Sequence, residues 1–203
     1  MGLKAISFAL GGAISLIALM GTQNGNLRAQ ETTQGAATEQ VGLNAWAKVF
    51  EVFSHPRCAS CHVADGRPMW SGAHYGGTQQ HPMYVGGDPD QLLGLPGLQC
   101  TTCHMAENAQ KLHGPPGNDV WHLPPKEMAW WEKSSGEVCN QVKDPARNGD
   151  RTLSEIEDHV AHDSLVAWGW APGPGREPAP YSASEAAAAI AAWAQAGAPC
   201  PSE

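Results

Sequence analysis

Positive charge, long apolar runs and strand-like alternation are all scarce in this 203-residue sequence. Its 12 lysines and arginines are outnumbered by 20 acidic residues, and the net charge of −8 disfavours nucleic acid and anionic membranes as partners. The apolar stretch at residues 5–20 falls short of the roughly 20 residues that a membrane-spanning helix needs. No segment alternates with the period of a half-buried β-strand. These absences favour a mostly α-helical fold with extensive irregular loops.

The N-terminal segment has the layout of a secretory signal. Lys4 precedes the apolar stretch, small and polar residues follow it, and Leu27-Arg28-Ala29 offers a cleavage site. An uncleaved membrane anchor is the alternative, which the length of the stretch disfavours. We therefore predict a signal peptide at residues 1–29, a periplasmic or otherwise extracytoplasmic location, and no transmembrane segment in the mature chain. Residues 30–40 are polar and predict a flexible lead-in, and residues 41–203 predict one domain.

Six cysteines in an exported protein would ordinarily indicate three disulfides, but their spacing indicates another use. Four of them form two close pairs, each followed directly by a histidine: Cys58-Ala59-Ser60-Cys61-His62 and Cys100-Thr101-Thr102-Cys103-His104. Both match the CxxCH signature of c-type haem attachment. Two thiols on one turn can add to the two vinyl groups of a porphyrin, and the next histidine can ligate the iron from below.

Other uses of the two motifs fit less well. Zinc-ribbon pairs stand roughly 15–20 residues apart, whereas 38 residues separate Cys61 from Cys100. A thioredoxin-like site would need a βαβ context, which the surrounding Gly- and Pro-rich sequence does not supply. Two local disulfides would leave the repeated histidine unexplained.

At these motifs the chain resembles multihaem c-type cytochromes. The resemblance implies a small domain built around two covalently attached haem c groups, held by Cys58, Cys61, Cys100 and Cys103, with proximal ligands His62 and His104. A second resemblance spans residues 46–201, through strings such as Met128-Ala129-Trp130-Trp131 and Leu165-Val166-Ala167-Trp168-Gly169-Trp170. It is to the family labelled as the cytochrome-type subunit of isoquinoline 1-oxidoreductase, and it implies a molybdenum hydroxylase as redox partner.

The ligand on the far side of each iron is open to several side chains. His74 and His81 follow the first motif in a long loop, and we predict His81 for the first haem. For the second haem the candidates are His55, His159 and His162. His159 shares a helical face with apolar neighbours, a position equally suited to a core histidine. Met83 and Met128 are the methionine alternatives.

Helical signals surround the motifs. They predict helices at Trp46–Ser54, Cys100–Leu112, Pro125–Lys133 and Glu137–Val142, one after the capping box Thr152…Glu155, and one from Ser182…Glu185 to Gly197. The sequence contains eight tryptophans but three phenylalanines and three tyrosines. Four tryptophans are predicted to wall the porphyrins: Trp130, Trp131, Trp168 and Trp170.

The remaining cysteines, Cys139 and Cys200, are predicted to form a disulfide that fastens the last helix to the core. Intermolecular pairing and thiolate ligation of haem are the alternatives.

Taken together, these features predict an electron carrier or electron-transfer subunit that is not an enzyme. A dihaem peroxidase-like enzyme with one open haem is the alternative from another class, and a haem sensor or structural subunit is a third.

Overall fold

The computed structural model describes residues 2, 17–70, 78–82, 94, 95 and 97–202. The chain divides into two units, Met1–Thr38 and Glu39–Glu203. In the described part the structure is mostly helical, as predicted. The helices are α1 (Ile17–Phe53), α2 (Pro56–Ala59), α3 (Ser135–Lys143), α4 (Leu153–His162), α5 (Ser164–Ala167) and α6 (Ala183–Gln195). Within the described residues, no helix combines the length and the apolar character that crossing a bilayer requires.

Local sequence explains where three of these helices begin. At α4, the Thr152 hydroxyl accepts from the backbone N–H of Glu155, and the Glu155 carboxylate accepts from the backbone N–H of Thr152. This capping box satisfies two backbone donors that the first turn leaves without partners. The same box begins α3 at Ser134 and α6 at Ser182. The boxes predicted for α4 and α6 are confirmed.

Three expectations are corrected by the structure. Residues 30–40, expected as a flexible lead-in, lie within helix α1. The helix expected from Cys100 to Leu112 is a single 3₁₀ turn, Cys100–Thr102, because the chain then folds back and Met105 O accepts from Asn118 N–H. No helix forms at 125–133, since Trp130 and Trp131 N–H donate instead to the carbonyl oxygen of His62.

The strands are short and form two antiparallel pairs. In the first pair, β1 (Met69–Trp70) aligns Met69 with Gln80 of β2 (Gln79–Gln80). In the second pair, β3 (Gly94–Leu95) and β4 (Leu98–Gln99) lead directly into the second CxxCH motif. The β-structure therefore brings loop segments to the two motifs and contributes little core.

The core of the larger unit is formed by the apolar faces of α1, α3, α4 and α6. Trp46 of α1 and Trp193 of α6 are almost fully buried, with ring centroids 4.8 Å apart. Gly42 allows α1 to approach the C-terminal segment, because a Cβ there would lie 2.5 Å from Pro199 Cγ. The C-terminus is also joined to α3, since Cys139 and Cys200 form a disulfide with Sγ atoms 2.05 Å apart. This core packs behind the first motif, through partly buried Cys58.

Candidate functional site

The first motif begins on α2. Pro56 occupies the first turn, where a missing N–H costs nothing, and Cys61 N–H donates to Cys58 O so that both thiols follow one turn. The His62 ring donates from Nδ1 to the carbonyl oxygen of Met128 at 2.9 Å. Its face stacks on Trp130, with centroids 3.5 Å apart. Burial lowers the pKa of His62 to about 3, so this imidazole is neutral at physiological pH.

The second motif repeats this environment with a different flanking sequence. His104 follows the 3₁₀ turn, its backbone N–H donating to Cys100 O. The His104 ring donates from Nδ1 to the carbonyl oxygen of Pro116 at 2.8 Å. It stacks on Trp121, with centroids 4.4 Å apart and planes 11° from parallel. Burial is the main cause that lowers the pKa of His104 to about 4.

The protonation of these two rings has a chemical consequence. A neutral imidazole that donates from Nδ1 keeps the lone pair of Nε2 for a metal ion. Histidine ligands in proteins commonly donate their other N–H to a carbonyl or carboxylate, which fixes the tautomer and the orientation of the ring. His62 and His104 therefore have the form of ring that iron requires.

An apolar cavity lies beside the first motif. It contains about 1230 Å³ of space free of protein atoms, part of it open to solvent, and Cys58, Cys61 and His62 all line it. Its apolar wall comes from α1, α3, α4 and the turn Trp168–Trp170: Val52, Phe53, Val142, Ile156, Val160 and Trp170. Such a wall suits the face of a macrocycle, whose binding would cover this apolar surface.

The thiols of the first motif are kept protonated by their surroundings. Burial raises the pKa of Cys58 to about 12 and that of Cys61 to about 11. Cys61 and Cys100 both line the second cavity, so residues of the two motifs border the same space. None of the four motif cysteines is in a disulfide, so the structure does not contain the two local disulfides considered above.

The second cavity adjoins the first and contains about 700 Å³ of space free of protein atoms. Cys100, His104 and His81 line it. The His81 and His104 rings have centroids 6.1 Å apart. Two imidazoles that ligate one metal ion from opposite sides, with metal–nitrogen bonds of about 2 Å, hold their ring centres about 6 Å apart. His81 Nδ1 donates to the carbonyl oxygen of Pro82, which leaves its Nε2 for a metal as well.

The structure places His81 and His159 each beside the motif other than the one for which it was considered. His81, predicted for the first haem, lies beside the second motif, because β2 pairs with β1 and brings the following residue into the second cavity. His159, one of the three candidates for the second haem, lines the first cavity. His159 also contributes to the lowered pKa of His62, so the two rings are close. The apolar helical face predicted for His159 is confirmed, since Ile156 and Val160 line the same cavity.

His55 and His162 have other roles. His55 Nδ1 accepts from the backbone N–H of Arg57, capping α2, so the proton of its neutral ring is on Nε2 and no lone pair remains for iron. His162 pairs with Asp158 at an exposed position, 2.8 Å apart. Met128 lines the first cavity. His74 and Met83 lie outside the described residues.

Several residues of the site carry no signal in the sequence. Trp121 lines both cavities, and His122 lines the first. His122 also lowers the pKa of His159, so it is a further nitrogen donor near the first motif. Nothing in the irregular sequence around these two residues marks them, because their position depends on the loop that follows the second motif. Of the four tryptophans predicted as walls, Trp130, Trp168 and Trp170 line the first cavity.

The chemistry of the donor set fits two c-type haems. The first cavity is lined by Cys58, Cys61, neutral His62 and His159, and the second by Cys100, neutral His104 and His81, between largely apolar walls. Cys103 is exposed and lines neither cavity. Among the described residues, no cluster of three or more His, Cys, Asp or Glu side chains is arranged to hold a metal ion by itself. In a c-type haem site the porphyrin supplies four of the iron ligands, and the protein supplies the two axial ones.

Comparison of the chain with models of known protein families, with curated proteins and with solved structures finds no match.

Proposed function

We propose that this chain is an electron-transfer protein that carries two covalently bound c-type haems. The first haem is attached through Cys58 and Cys61, and the second through Cys100 and Cys103. His62 and His104 are the proximal ligands. When bound, the haem irons supply the redox chemistry, each alternating between the ferrous and the ferric state.

The main support for this proposal is the distance between the His81 and His104 rings together with their matching hydrogen bonds. Their centroid separation of 6.1 Å matches two axial ligands on one iron. Both rings donate from Nδ1 to backbone carbonyls, and no other hydrogen bond to either ring occurs within the described residues. Packed aromatic rings also lie at such separations, so the matched Nδ1 donation, which leaves Nε2 of both rings for a metal, is what favours ligation over packing.

For the first haem, His159 would be the second protein ligand together with His62, since both line the first cavity. Its Nδ1 lies 3.4 Å from the Asp163 carboxylate, a carboxylate–histidine arrangement that orients a ligating ring and increases its electron donation. An iron with two imidazole ligands is saturated, and it has a lower potential than one with a methionine ligand. Saturated irons support a carrier more than an enzyme.

The rest of each site orients the ligands and excludes water. The stacked tryptophans Trp130 and Trp121 hold the proximal rings, while the apolar walls keep solvent from the porphyrin faces. The acidic chain would act in the periplasm or another extracytoplasmic space with a redox partner protein. The family resemblance over residues 46–201 favours a molybdenum hydroxylase as that partner.

Haem content and ligation test the proposal together. We expect the full-length protein, produced in a host that attaches haem c, to gain the mass of two haems. Its reduced spectrum should show low-spin bands that carbon monoxide does not alter. A colourless, correctly exported protein would contradict the whole proposal. A native protein in which one haem is high-spin and binds carbon monoxide would instead support the peroxidase-like alternative.

A further inference from the structure

Trp121 occupies the boundary between the two cavities. Its indole lines both of them. One face stacks on His104, the proximal histidine of the second motif, with planes 11° from parallel. Trp168 meets Trp121 edge-on, with centroids 5.2 Å apart, and Trp168 Nε1 donates to Asn108 Oδ1 at 3.0 Å. Contacts on two sides therefore fix the orientation of the Trp121 ring.

The two cavities are adjacent, because they share several lining residues. Arg57, Cys61 and Trp168 line both cavities together with Trp121. Cys61 and Cys100, which belong to different motifs, line the second cavity together. Trp121 stacks on His104, the proposed iron ligand of the second site, and also lines the first cavity. Its indole is therefore an aromatic link between the two sites.

Trp130 has a different position although its contact with histidine is similar. It stacks on His62 with one face, but Phe53 covers its other face at 4.3 Å, with planes 6° from parallel. Trp130 lines the first cavity and packs against the hydrophobic core on its other side. The link between the cavities is thus a property of Trp121 and not of every tryptophan that stacks on a ligand.

We propose that Trp121 provides the electronic coupling for electron exchange between the two haems. The inference rests on the proposed function. One electron leaves the ferrous iron of one haem, which becomes ferric, and arrives on the ferric iron of the other, which becomes ferrous. The indole contributes orbitals to the path and is not itself oxidised, so no further oxidant, reductant or proton is required.

The test is the rate of exchange in half-reduced holoprotein, measured by proton NMR. The paramagnetically shifted methyl groups of the two haems give separate signals, and dilution separates exchange within one molecule from exchange between molecules. We expect Trp121→Leu to lower the intramolecular rate constant several-fold and Trp121→Phe, which retains an aromatic ring, to lower it less. Trp131→Leu is the matched control, because Trp131 lines neither described cavity, and it should exchange like the native protein.

The outcomes separate this inference from the proposed function. An exchange rate in Trp121→Leu equal to that of the native protein, with both haems attached, would overturn the role of Trp121 and leave the electron-transfer proposal intact. If Trp121→Leu fails to retain haem, the comparison of Trp121→Phe with Trp131→Leu decides, and equal rates in those two would likewise overturn it. A native protein without haem would overturn both proposals.

Discussion

The carboxylate of Asp163 lies 3.4 Å from Nδ1 of His159, whereas Nδ1 of His81 donates to a neutral carbonyl, that of Pro82. The two proposed distal ligands therefore differ in the charge behind them. An anionic partner increases electron donation from an imidazole and favours the ferric state. On the proposed ligation, this difference would give the two haems unequal potentials, with that of the first haem lower than that of the second.

Replacing the carboxylate tests that inequality. Asp163→Asn keeps a side-chain oxygen to cap α5, where Asp163 accepts from Leu165 N–H and Val166 N–H, but it removes the charge. We expect the potential of the first haem to rise and that of the second to stay the same, as measured by spectroelectrochemical titration. Asp158→Asn is the control, since Asp158 pairs at the same i,i+4 spacing with exposed His162. Equal shifts in both variants would contradict the assignment of His159.

Removing the proposed distal ligand of the second haem should open that iron. We expect His81→Ala to bind carbon monoxide at half of its haem, and the His81→Ala/His159→Ala double variant to bind it at all of its haem. His81→Met should keep the site closed and raise its potential, because methionine ligation favours the ferrous state. His113→Ala, at an exposed histidine outside both described cavities, should behave as the native protein. A closed second haem in His81→Ala would assign the ligand to another residue.

The disulfide should stabilise the fold without affecting the haems. Cys139 and Cys200 are 61 residues apart in sequence, and the chain-entropy estimate for such a loop is about 4 kcal/mol. We expect Cys139→Ala/Cys200→Ala to lower the free energy of unfolding by about this amount in urea denaturation followed by circular dichroism. The haem bands of the folded variant should be unchanged, because neither cysteine lines a described cavity. An unchanged midpoint would show that the bond contributes no stability.

The capping boxes predict how stability depends on pH. The hydrogen bond from Lys133, followed by the one from Ser134 N–H, lowers the pKa of Glu137 from its usual 4.5 to about 2, and hydrogen bonds within the boxes lower the pKa values of Glu155 and Glu185. Because the folded-state pKa values are depressed, this stability is present above pH 4.5 and is lost as pH falls towards 2. Urea midpoints measured across this range should fall more steeply in the native protein than in Glu137→Gln/Glu155→Gln/Glu185→Gln. Glu157→Gln, outside the boxes, should follow the native curve; a triple variant that also follows it would contradict the prediction.

The predictable parts of this protein are those that depend on neighbouring residues. The CxxCH motifs, the box at Thr152…Glu155 and the apolar face around His159 are each set within a few positions, and the sequence reveals them. The position of His81 depends instead on the pairing of β2 with β1. Strands of only two residues have no alternating pattern that would predict this pairing from sequence. The position of Trp121 depends on how the loop after His104 folds back, where Asn118 N–H donates to the carbonyl oxygen of Met105. Both positions are set by tertiary contacts, which leave no periodic pattern in the sequence.

The bond between Cys139 and Cys200 places an unusual demand on assembly of the chain. On the proposed function, Cys139 and Cys200 must be oxidised to each other, while the four motif cysteines must stay as thiols until porphyrin reaches them. In the proposed extracytoplasmic location, both requirements would apply to one molecule in one oxidising space. Chains exported as proposed would therefore need either a fixed order of maturation steps or a reductant that acts on the motif cysteines and spares the Cys139–Cys200 bond. A mispaired bridge between the two sets would remove a thiol from a proposed haem site and also break the link between α3 and the C-terminus.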